Sequence, residues 1–163
     1  MSAWIMAEVF INFLQIYIIY KVLELFYDRR LSFRFSVEIL IIIMTIMLTG
    51  LNHYSQIQSN PLLYISFFLF ILITSAIVFK GNIFLKLIIL FLLLAVTGTL
   101  EMLAAALITT VGGFDLKTIQ EQNNVRLEVM ILSQTFFVYF YLLMRKRFGK
   151  NKLTFLITNT IFL

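Results

Sequence analysis

Cysteine is absent from this chain, which removes disulfides, lipidated thiols and thiol nucleophiles in one step. The single histidine, His53, has no cysteines or clustered carboxylates beside it, so it makes neither a zinc site nor a Ser–His–Asp triad. An ordinary loop role and a pH-sensing or ligand-contacting role both remain open for it. Glycine is sparse, and the pair Gly112 and Gly113 stands alone after an apolar run, as a helix stop rather than a phosphate-cradling loop. The one proline, Pro61, opens an apolar run, where its missing amide donor costs nothing. Charged residues make up only 13% of the chain. No catalytic residues, metal site or cofactor are expected from this inventory.

What remains is apolar. Hydrophobic residues are 61% of the 163 and the mean hydropathy is +0.99, against about 45–50% apolar and about 25% charged in a soluble domain. The apolar runs have helical membrane-crossing length, roughly 20 residues for a core about 30 Å thick. They predict spans over 3–26, 35–51, 61–79, 87–111 and 127–144, followed by an apolar stretch over 153–163 that is too short to cross. The expected fold is an all-α, polytopic transmembrane helical bundle with five full spans and an incomplete sixth. The whole chain, 1–163, reads as one membrane domain cut within a longer protein, and an interfacial amphipathic tail is the alternative for its last segment.

Basic residues alternate between turns. Eleven of the thirteen lie in or beside the first, third and fifth turns: Lys21, Arg29, Arg30 and Arg34; Lys80 and Lys86; and Arg145, Lys146, Arg147, Lys150 and Lys152. Only Lys117 and Arg126 occupy the opposite side. The positive-inside rule then puts the three basic turns in the cytoplasm and the N-terminus outside. The net charge of +5 is thus a topology signal in short juxtamembrane clusters, and the partner it implies is the lipid bilayer, with no nucleic acid. Trp4 and Tyr54 fall near the expected outer boundary, Tyr20 and Tyr27 near the inner one.

Glu101 is the acid deepest in an apolar run, about 22 Å along a helix from Lys86. A bare carboxylate there is costly, so it must hydrogen-bond or face a wet cavity or partner helix. Thr97, Glu101 and Ala104 share one helical face, with Ala95, Gly98, Met102 and Ala105 on the next. A ligand-sensing switch and a buried structural hydrogen bond are both open for Glu101. Asn12 and Gln15 are expected to bond between helices or to line a cavity, and Glu38 to pair with Arg34 one turn away. On the expected outer side, His53 and Tyr54, together with Phe114, Asp115 and Glu121, are the loop residues available to a ligand.

The outward start MSAWIMAEVFINFLQIYIIY, the basic first turn YDRRLSFRF, the motif-poor spans and the basic RKRFGKNK turn after span five carry a resemblance. In this layout the chain resembles the N-terminal membrane sensor region of bacterial peptide-pheromone histidine kinases of the Agr type, whose ATPase belongs to the GHKL class. The resemblance covers the whole chain in style and assigns no residue a role. It implies a bacterial cell-membrane location, an extracellular peptide ligand, a homodimer and a cytoplasmic kinase module that this chain does not contain. Two other classes stay open on the residues alone: a small membrane transporter or transporter subunit, marked by a polar line through the bundle, and a helix-packing accessory protein.

Overall fold

A computed structural model describes residues 3–29, 36–54, 61–113 and 123–148. These form five helices: α1 (Ala3–Phe26), α2 (Ser36–Tyr54), α3 (Pro61–Val78), α4 (Ile83–Gly112) and α5 (Asn123–Phe148). Each interior is predominantly apolar and free of proline, so its amides can bond within the helix. Chemistry marks the ends. Pro61 opens α3. The Asn82 side chain caps α4 by accepting from the Phe84 amide at 2.8 Å. Gly113 closes α4 in the left-handed region, φ 68°, donating its amide to Thr109 at 3.0 Å.

The helices alternate in direction around α1. It packs most extensively on α5 and α2, α5 packs on α4, and α3 closes the ring between α2 and α4. The main core lies on these seams, where Tyr20, Leu23, Met44, Phe79 and Phe137 are fully buried. A separate small cluster of Ala104, Val125 and Val129 joins the end of α4 to the start of α5. Ala104 is thus on the packed face of α4, whereas Met102 on the neighbouring face is exposed.

Polar groups point in and apolar groups point out. Glu8, Asn12, Thr45, Thr49, Thr74, Ser75, Thr97, Ser133 and Gln134 are buried, while Phe10, Phe84, Phe91, Leu92 and Val111 are exposed, the last at 86%. A surface of this kind is at rest against hydrocarbon, which has no hydrogen bonds to offer the buried groups. Three helical stretches are long and apolar enough to cross a membrane: Trp4–Phe26, Ile83–Gly112 and Asn124–Phe148. The apolar stretches of the other two, Val37–Leu51 and Ile65–Val78, are shorter. The five expected segments all form helices, with three rather than five reaching full spanning length, and 153–163 lies outside the described residues.

One end of the bundle is tied together by the loops. The Lys80 amide donates to the Asp28 carbonyl at 2.9 Å, and Arg29 and Phe79 form a short antiparallel bridge. This joins the α1–α2 turn to the α3–α4 turn. Glu24 accepts from Lys21 at 2.9 Å and from Arg29, and Arg29 also lies 3.5 Å from Glu38. Glu38 therefore pairs with Arg29; the partner expected from sequence, Arg34, lies outside the described residues. Phe26 and Phe148 meet at 5.4 Å between ring centres, bringing the end of α5 to the same place. Arg145, Lys146 and Arg147 follow on that last turn, so the described basic turns gather at one end.

Candidate functional site

Toward the opposite end the helices enclose a cavity of about 460 Å³, to which all five contribute. Asn12 and Gln15 enter from α1, Leu48 from α2, Phe67 and Phe68 from α3, Thr97 and Glu101 from α4, and Arg126 from α5. The volume is that of an ordinary small-molecule site, and so is the mixture of an apolar wall with a few convergent polar groups. At 1.5 Å per residue, Glu101 sits about 27 Å from the start of α4 at Ile83. The polar part of the cavity thus lies far from the basic end.

Local structure explains why these side chains arrive there. Asn12, fully buried on α1, donates to the Thr49 hydroxyl on α2 at 2.9 Å, fixing those two helices side by side. Thr97 returns its hydroxyl to the Leu94 carbonyl at 2.9 Å and stays buried. Glu101 stands one turn further on and is exposed at the cavity margin. The Ala104, Val125 and Val129 cluster sets the start of α5 against that part of α4, which brings Arg126 to the same cavity. Arg126 and Glu101 thus line the same cavity from two helices without forming an ion pair. Deeper on α5, the buried Gln134 side-chain oxygen has no hydrogen-bond partner among the described residues.

Toward the basic end the buried Thr45, Thr74, Ser75, Ser133 and Gln134 are spread through the core and do not line this cavity. A smaller cavity of about 240 Å³ between α1, α4 and α5 is lined by apolar side chains alone, among them Val22, Phe26, Leu93 and Phe140. Lys86 is fully buried, donates to the Phe79 carbonyl at 2.7 Å and lies 5.6 Å from the centre of the Tyr27 ring. Gly81, at φ 106°, lies so close that a Cβ there would come within 2.9 Å of that same ring. The Tyr27 hydroxyl is buried without a partner among the described residues, and burial pushes its pKa up to about 12.

Of the residues singled out in sequence, Glu101, Thr97, Asn12 and Gln15 come together in one cavity. His53 and Tyr54 belong to the last turn of α2, with side chains outside the described residues, as are Phe114, Asp115 and Glu121. Arg29, Arg145, Lys146 and Arg147 gather at the basic end, and Arg30 and Arg34 lie outside the described residues. One expectation needs correction. Tyr20 is a core residue rather than an interfacial one: its hydroxyl bonds Thr74 at 2.8 Å, because Thr74 faces α1 from α3.

Sequence reasoning missed Arg126, which it counted as a loop charge. No periodicity marks it, because its place depends on the first turn of α5 packing on α4 through Val125, Val129 and Ala104. Among the described residues no three His, Cys, Asp or Glu side chains cluster as metal ligands. No protein-family model, no curated protein and no solved structure matches the chain.

Proposed function

We propose that this chain is the membrane-embedded sensing region of a receptor in a bacterial cell membrane. In this reading all five helices cross the bilayer, the basic end faces the cytoplasm and the N-terminus lies outside. The shorter apolar stretches of α2 and α3 complete their crossings with flanking residues such as Ser36 and Pro61, at the modest cost that a thickness mismatch carries. A ligand from outside, a peptide by the resemblance drawn above, enters the large cavity and favours one of two helix packings. The change passes inward through α4 and α5 to a histidine kinase module beyond this chain, in a homodimer. Such a shift needs only a differential affinity of a few kcal/mol between the packings.

The observation that carries this reading is the cavity at the far end, to which all five helices contribute, against a basic end where Lys86 is buried and bonded. The buried Thr45, Thr74, Ser75, Ser133 and Gln134, nearer the basic end, do not line it, whereas a transporter would need its polar lining to continue through the bundle. The test uses the cysteine-free chain as its own background. Met130→Cys, in the cavity wall, should react with a membrane-impermeant methanethiosulfonate reagent added outside and stay unreactive when the same reagent is added to inverted vesicles, which present the cytoplasmic face to the medium. Equal reaction from both sides would favour a transport path, and reaction from inside alone would reverse the assigned orientation.

A further inference from the structure

We infer that the large cavity takes a small zwitterion, with its ammonium group beside Glu101, its anionic group beside Arg126 and its apolar body against α1 and α3. This rests on the receptor reading and specifies the chemistry of its site. Glu101 and Arg126 line the same cavity from different helices. The guanidinium and the carboxylate do not close an ion pair with each other. Neither has another ion-pair or hydrogen-bond partner among the described residues. Two opposite charges that line one cavity without pairing are each left to meet a group of the ligand. An anion alone would satisfy Arg126 and leave the carboxylate bare; a cation alone would do the reverse. A ligand bearing both groups answers both. Asn12 and Gln15 add amide donors and acceptors within the same space, while Ile16 and Phe68 supply the apolar wall.

The same chemistry is offered by a free amino acid or short linear peptide and by the headgroup of phosphatidylethanolamine. The probe is leucyl-leucine, titrated by calorimetry into the purified chain in nanodiscs of phosphatidylglycerol, a lipid without an ammonium group. Saturable binding is expected, weakened tenfold or more by N-acetylation or by C-terminal amidation, since each removes a charge-assisted contact. Glu101→Gln should lose discrimination between the free and acetylated amine, and Arg126→Gln that between carboxylate and amide. These comparisons are made within one variant and therefore do not depend on its stability. Suppression of leucyl-leucine binding in phosphatidylethanolamine nanodiscs would support the zwitterion site and assign it to the lipid. No saturable binding of leucyl-leucine, or equal binding of the blocked forms, would overturn it. Outside-only labelling of Met130→Cys would still stand in that event, so failure of the zwitterion site is separable from failure of the receptor reading.

Discussion

The two ends of the bundle are built on opposite plans. At the basic end, turns far apart in sequence are bonded to one another: Lys80 to Asp28 through the backbone, Arg29 to Glu24 and Glu38, and Lys86 to the last carbonyl after α3. At the far end the helices stand around a cavity of about 460 Å³, and one buried hydrogen bond, Asn12 to Thr49, crosses near it. Bonds between turns hold one arrangement even with the Tyr27 hydroxyl among them unpaired, whereas an open space with unpaired charges leaves room for two. The receptor proposed above would use both, a fixed floor against which a movable rim can work.

Substitutions separate the two ends by their cost. Lys86→Met should be the most damaging: it strands the Phe79 carbonyl and removes the cation from the Tyr27 ring, costing about 2–3 kcal/mol. Thermal unfolding in mild detergent reads this as a lowered midpoint. Gly81→Ala should follow at about 1–2 kcal/mol, because alanine is strained at φ 106° and its methyl group meets the Tyr27 ring. An unchanged midpoint in both variants would break the contrast. Near the cavity, Asn12→Leu should cost about 1 kcal/mol through its lost bond to Thr49, the scale of interhelical hydrogen bonds in membranes.

Glu101→Gln should change stability by less than about 0.5 kcal/mol, since no hydrogen bond or ion pair to a described residue is lost. Its effect belongs to ligand binding. The smallest expectation concerns Tyr27. Its pKa is raised from 10.0 to about 12 by burial, so folding favours the protonated phenol. Below pH 10 both folded and unfolded chains keep the proton and no dependence arises. Between pH 10 and about 12 the unfolded chain loses it first, and stability falls. Tyr27→Phe should match the parent below pH 10, or slightly exceed it by removing an unpaired hydroxyl, and should lose less stability above. An identical decline in both chains would contradict this.

The helices were legible in the sequence where apolarity and helix coincide. The expected first segment, 3–26, is α1 residue for residue, because its apolar stretch ends at Phe26 where the polar turn with Asp28, Arg29 and Arg30 begins. The later boundaries were drawn too tight for a physical reason. α4 begins at Ile83 rather than 87 because Lys86, read as a turn charge, is a helical residue that reaches back to a carbonyl. α5 runs over Asn123–Phe148 rather than 127–144 because hydropathy marks the oily part of a helix and not its wet ends.

The site was half legible. An acid such as Glu101 deep in an apolar run announces itself by its cost, and Thr97 follows by spacing. Arg126 does not, since a charge at the start of a helix looks solvated until α5 is known to fold back on α4. The basic-end lock was hidden for a related reason. It depends on pairings between turns some fifty residues apart, Asp28 with Lys80 and Arg29 with Phe79, which helical periodicity does not encode.

The contrast between a tied end and an open one is tested most directly by pulsed electron-resonance distances in nanodiscs. Spin labels go on exposed sites at each end, Lys80 with Lys146 and Met6 with Val111. The basic-end pair should give a single narrow distance distribution and the far-end pair a broad or two-peaked one. A basic-end distribution as broad as that at the far end would contradict a fixed floor beneath a movable rim.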